Sequence, residues 1–110
     1  MIEVREYLAA EGHSPYAKWF NRLNAPAAAK VSTAMHRLEQ GNFSSVSGVG
    51  SGVYEYRIDS GPGYRIYFGK DGNELVILLL AGIKKSQDMD IKAAKGHWRD
   101  YQRRKRQEET

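Results

Sequence analysis

The 110-residue sequence predicts an α+β domain, with an antiparallel sheet packed against an N-terminal helical hairpin and a C-terminal helix. The expected order is β-α-α-β-β-β-α. Three observations predict it. Apolar residues recur at helical spacing near the start and again after Gln87. Apolar and polar residues alternate between Val53 and Lys70. The run Leu75-Val76-Ile77-Leu78-Leu79-Leu80-Ala81 is apolar throughout.

Ile2 to Tyr7 alternates and reads as a first strand, broken by Gly12-His13-Ser14-Pro15. Ser14 suits an N-cap, and Pro15 suits the first helical position, where a missing N–H costs nothing. Tyr16, Trp19, Phe20 and Leu23 then fall at i, i+3, i+4, i+7, one face of a short helix. Asn24-Ala25-Pro26 interrupts it, and Pro26 opens a second helix with Val31, Ala34, Met35 and Leu38 on one face. Gly41 is its expected stop. Residues 42–51, rich in Ser and Gly, read as a loop. Strands follow at about 53–58, 64–70 and 75–83. Gly61-Pro62-Gly63 and Asp71-Gly72 make the links short, so the three strands form an antiparallel meander. The third strand, apolar on both faces, is expected away from the sheet edge. From Gln87, Ile91, Ala94, Trp98 and Tyr101 share a helical face, and Asp88 and Asp90 favour that helix start.

The length suits one domain over 1–110, with a basic tail expected to fray from about 102. Apolar residues are 41% and charged residues 27%, which allows a small core. The absence of cysteine excludes disulfides and thiolate metal sites and fits a reducing compartment. The first residues carry charges inside their apolar positions and do not resemble a signal peptide. No membrane span is expected, and the cytoplasm is the expected location. The net charge of +4 permits a nucleic-acid partner without demanding one. Its distribution says more: Lys84 and Lys85 follow the apolar strand, and Arg99, Arg103, Arg104, Lys105 and Arg106 crowd the last stretch. That stretch fits the cationic end of a helix first and an RNA contact second. His13, His36 and His97 show no ligand spacing and read as surface or partly packed residues.

The hairpin from Gly52 to Gly72 carries the functional signal. Alternation puts Tyr54, Tyr56, Ile58, Tyr64, Ile66 and Phe68 toward the helices. Glu55, Arg57, Arg65 and Tyr67 are left together on an outer, polar face. Lys84 and Lys85 leave the third strand near Tyr64 and Arg65. Metal-free cleavage of RNA needs a base for the ribose 2′-OH, cations for the phosphate, and an acid for the leaving oxygen. In that chemistry Glu55 is the base, Arg57, Arg65 and Lys84 are the clamp, and Tyr67 or a lysine is the acid. The same residues also fit cross-strand ion pairs on a wet face, the reading that residue types alone favour.

Gly52-Val53-Tyr54-Glu55-Tyr56-Arg57-Ile58, Gly61-Pro62-Gly63-Tyr64-Arg65-Ile66-Tyr67-Phe68, and Leu78-Leu79-Leu80-Ala81-Gly82-Ile83-Lys84-Lys85-Ser86-Gln87 with Asp90-Ile91 resemble the addiction-module killer proteins. These are phage-Gp49-like members of the RelE/ParE/HigB toxin superfamily. The resemblance implies a small α+β toxin of a type II toxin–antitoxin system, acting without a cofactor. Its implied partners are a cognate helix-turn-helix antitoxin, mRNA and the ribosome, with DNA reached only through the antitoxin and no membrane. The implied activity is a ribosome-dependent mRNA endonuclease; the alternatives are a ParE-like inhibitor of DNA gyrase and a non-catalytic relative that binds an antitoxin. The resemblance implies that Arg65 contacts the scissile phosphate, with Arg57 and Lys84 or Lys85 at recurrent basic positions. Glu55 stands where RelE carries lysines, and Asp88, Met89 and Asp90 stand where a catalytic tyrosine is sought.

Overall fold

The computed structural model describes residues 1–109. It contains β1 (Glu3–Glu6), α1 (Pro15–Phe20), α2 (Ala25–Glu39), β2 (Val46–Gly50), β3 (Val53–Ile58), β4 (Tyr64–Lys70) and β5 (Leu75–Ile83). A 3-10 turn at Lys84–Ser86 leads into α3 (Gln87–Glu108). The expected α+β class is observed. Ser14 caps α1 as expected, accepting from the Ala17 N–H at 3.0 Å; Asn24, read only as part of an interruption, caps α2 by accepting from the Ala27 N–H at 3.0 Å. α1 ends sooner than its apolar spacing suggests. Leu23 lies beyond it and packs on the core from the connection to α2.

The sheet has five strands in the order β1-β5-β4-β3-β2. The β3-β4-β5 meander is antiparallel, and β5 lies inside the sheet, as its apolar run requires. Two points differ from expectation. Residues 46–50 form an edge strand antiparallel to β3, where a loop was expected. Val46 and Val49 are half-buried there, but three glycines and serines hide the alternation. The sheet is also mixed, because β1 runs parallel to β5 with Glu3 opposite Leu75 and Glu6 opposite Leu78.

Register also breaks once inside the meander. Tyr67 pairs with Leu80 and Phe68 with Leu78, so Leu79 is the extra residue of a bulge in β5. The bulge lets the consecutive Leu79 and Leu80 both pack with one core, while Leu78 faces the other. An unbroken apolar run carries no alternation, so the bulge leaves no mark in the sequence.

The two cores explain the layering. Val31, Leu38, Tyr56, Ile66 and Phe68 are buried beneath the helical hairpin. Val53, Tyr67, Leu79, Ala94 and Trp98 are buried on the opposite face, beneath α3. The face expected to be outer and polar is thus covered. Its apolar members give the Ile91–Tyr101 stripe of α3 a surface to bury against. Gly69 admits the helix: a Cβ there would overlap the Trp98 ring. Trp98 in turn stacks on Tyr101 with centroids 5.2 Å apart.

Farther along α3, polar contacts fix its angle. The Tyr7 hydroxyl donates to Asp100 at 2.6 Å, and Arg104 pairs with the same carboxylate. Tyr101 donates to Asp71 at 2.7 Å, and Lys105 pairs with Asp71 at 2.6 Å. Part of the basic stretch therefore anchors the helix to β1 and to the β4–β5 turn. The Tyr7 hydroxyl, followed by Arg104, lowers the Asp100 carboxyl from 3.8 to about 2.

Two outcomes follow for α3. Gly69→Ala should cost about 1–3 kcal/mol through overpacking against Trp98, read as a lower urea midpoint. An unchanged midpoint would mean that Trp98 does not rest on Gly69. The lowered Asp100 pKa stabilises the fold fully above about pH 4, and this contribution fades as the pH falls toward 2. Asp100→Asn should therefore lower stability at neutral pH and flatten its loss between those values. Parallel urea-midpoint curves for the two proteins would refute this.

Candidate functional site

The Gly61-Pro62-Gly63 turn and the end of β5 meet at one end of the sheet. The Lys84 N–H donates to the Gly63 carbonyl at 2.7 Å. A Cβ on Gly63 would lie 3.3 Å from Lys84 Cβ and 3.4 Å from an Arg65 terminal nitrogen. Gly63 therefore sits between Arg65 and Lys84, and its lack of a side chain lets them approach. Arg57 lies directly opposite Arg65 in the β3–β4 ladder. Like charges in facing positions oppose pairing unless an anion joins them. Arg57, Lys84 and Lys85 are exposed.

Arg65 is different, being only 6% exposed. One terminal nitrogen donates to the Tyr64 carbonyl at 3.2 Å. Its nearest carboxylate is Asp59, 3.9 Å away and itself largely in solvent. The buried Nε has no hydrogen-bond partner. A buried guanidinium normally has its donors satisfied, because leaving them unmade costs free energy. Among the described residues, neither Arg57 nor Lys84 has an ion-pair partner. The cross-strand pairs of the wet-face reading are therefore not formed.

Glu55 and Tyr67 face the same way but lie farther under α3. They are opposite each other in register, and both are buried. Gln87, at the start of α3, donates to Glu55 at 3.2 Å. The Tyr67 hydroxyl is fully buried and has no partner. Burial pushes its ionisation up, and Glu55 and Asp90 push it further. The expectation that Glu55 and Tyr67 line an open face is corrected: α3 closes over both. Asp90 accepts a 2.5 Å hydrogen bond from Ser86, and Gly82 leaves room for that carboxylate against β5.

The structure thus groups Arg57, Arg65, Lys84 and Lys85 at the sheet end and leaves Glu55 and Tyr67 beneath the helix. Gln87 is the site residue that face reasoning missed. Its signal was available, because it ends the Lys84-Lys85-Ser86-Gln87 segment. Among the described residues, no three His, Asp or Glu side chains come together as a metal site would need. No described helix is long and apolar enough to cross a membrane. His97 stacks on Tyr7 at 4.8 Å, away from this group.

Residues 18–99 match the family described as phage-derived protein Gp49-like (DUF891). The chain belongs to this family. The Gp49-like proteins are toxins of toxin–antitoxin modules, so an antitoxin partner is implied. The Gp49-like chain is also 44% identical over 81 residues to an uncharacterized protein of Haemophilus influenzae (strain ATCC 51907 / DSM 11121 / KW20 / Rd). That match covers 73% of this chain and 82% of the relative. It spans enough of both proteins to support a shared fold, but the relative's name carries no activity.

In the Gp49-like chain, removing the orphaned phenol should not weaken the fold. Tyr67→Phe should keep stability within about 0.5 kcal/mol of the parent or raise it, because no hydrogen bond is lost. It should also remove one of the phenols that titrate above the usual tyrosine range in a spectrophotometric titration. A loss above about 1 kcal/mol would reveal a partner for the hydroxyl.

Proposed function

We propose that this chain is the toxin of a type II toxin–antitoxin module and cuts mRNA on the ribosome, in the cytoplasm, without a metal. A cognate helix-turn-helix antitoxin neutralises it. The observation that carries the reading is the Arg65 guanidinium, nearly buried, with its Nε unpartnered, and flanked by Arg57 and Lys84, which have no ion-pair partner among the described residues. A phosphate supplies the acceptor oxygens such a cluster lacks, and a guanidinium fork suits phosphate geometry.

In the proposed step, the ribose 2′-oxygen attacks phosphorus while Arg65, Arg57 and Lys84 hold the charged oxygens. The P–O5′ bond breaks, leaving a 2′,3′-cyclic phosphate and a 5′-hydroxyl. Glu55 takes the 2′-OH proton only when the start of α3, where Gln87 holds its carboxylate, moves off the buried side chain. Lys84 or Lys85 protonates the leaving oxygen. Tyr67 is a poor acid here, because burial keeps its hydroxyl from the surface.

Induction in cells should arrest growth and produce new mRNA 5′ ends that carry hydroxyl groups. Arg65→Gln and the surface change Lys84→Ala should each reduce cleavage at least about tenfold, the loss of one charge-assisted contact. Circular dichroism should show both variants folded. Growth arrest with full-length mRNA and broken DNA would replace this reading with gyrase inhibition. Undiminished cleavage by both variants would remove the clamp.

A further inference from the structure

A groove of about 450 Å³ opens at the same end of the sheet as the clamp but on its α2 face, between α2 and the end of β3. Its cations are Lys30, Arg37 and Arg57, and all three are exposed. Lys30, Thr33 and Arg37 fall at i, i+3 and i+7, along one face of α2. The opposite wall is held in place by the Arg57 N–H, which donates to the Ser45 carbonyl at 3.1 Å. Ala29 and Ala34 keep the α2 side shallow.

The charge in this groove is uncommitted. Among the described residues, Arg37 and Arg57 have no ion-pair partner, and Lys30 is bonded only to the Ser60 hydroxyl. The one carboxylate at the rim is Asp59, whose side chain is 87% exposed. Arg57 belongs to both places: it lines the groove and stands opposite Arg65 in the ladder. A chain that leaves the Arg65 clamp and rounds the end of β3 at Arg57 reaches two further cations on the α2 face.

We propose that this groove is a second RNA subsite, which holds a nucleotide flanking the cleaved one through Lys30 and Arg37. The proposal rests on the endonuclease reading for its orientation. RNA fits better than an acidic peptide for two reasons. The slot shares Arg57 with a guanidinium cluster suited to phosphate, and its volume lies in the range of small-ligand sites, with room for one nucleotide. Holding the neighbouring nucleotide would fix which phosphate reaches Arg65, so Lys30 and Arg37 act as positioning residues.

The test uses the purified chain and a fluorescent hexaribonucleotide with 2′-O-methyl groups, which cannot be cut. Lys30→Glu with Arg37→Glu should weaken binding at least about tenfold, and Lys30→Gln with Arg37→Gln should weaken it less. The glutamine pair should also lower the slope of log affinity against log salt by about 1.4, the release expected for two single-strand phosphate contacts. In cells, the same variants should move mRNA cleavage positions while Lys84→Ala lowers cleavage without moving them. Unchanged affinity and salt slope in both double variants overturn the subsite, even where mRNA is still cut. Absence of RNA binding by the parent chain overturns it as well, as does equal competition by an acidic peptide of the same charge. Reduced affinity and slope uphold the groove as an RNA site even if induced cells show intact mRNA, the result that would remove the endonuclease reading.

Discussion

Trp98 resting on the backbone of Gly69 holds α3 against the sheet, and the character of the site depends on it. Without that contact, Val53, Tyr67 and Leu79 would face water, and the β3–β4 hairpin would be a ribbon with one wet side. With it, the domain has three layers and two cores. The helix also turns an open row of polar residues into two environments. Glu55 and Tyr67 go under the helix, whereas Arg57 and Lys84 remain in solvent beyond its start. Arg65 falls at the boundary, buried along its side chain and incompletely paired at its head.

That boundary position has an energetic meaning. Taking a guanidinium out of water is costly unless acceptors replace the lost hydration. Arg65 has one carbonyl and a distant, solvent-exposed carboxylate. The fold therefore carries an unmade interaction, and an arriving anion would find the donors already oriented. Such preorganisation favours binding because little motion has to be frozen at the moment of contact. The orphaned Tyr67 hydroxyl lies in the same covered strip but lacks any net charge that an anion could neutralise. The two unsatisfied groups thus differ in kind.

The sequence made legible whatever was encoded locally. Ser14 and Pro26 marked helix starts, the Asp71-Gly72 turn marked a hairpin, and the Leu75–Ala81 run marked an inner strand. It also brought Lys84 beside Gly63 and Arg65, because short links leave few ways to arrange a meander. What remained hidden depended on partners distant in sequence. β2 is a strand because β3 offers it a ladder, not because of its own glycines and serines. The Leu79 bulge arises where a uniformly apolar strand must serve two cores. The burial of Glu55 and Tyr67 needed the knowledge that α3 returns across the sheet. Periodicity described the stripe on that helix and the apolar positions of the sheet separately, but it could not join them.

The parallel pairing of β1 with β5 has a consequence for synthesis. Glu3–Glu6 is synthesised well before its ladder partners, Leu75–Leu78. Tyr7 waits longer still, for Asp100. The earliest strand is thus the last to find its place, and its loop-closure entropy must be met late. Until then β5 has an unpaired edge and the second core is incomplete. A nascent chain of this kind stays unfinished until β5 and α3 have both emerged, and its guanidinium cluster is assembled no earlier than they are.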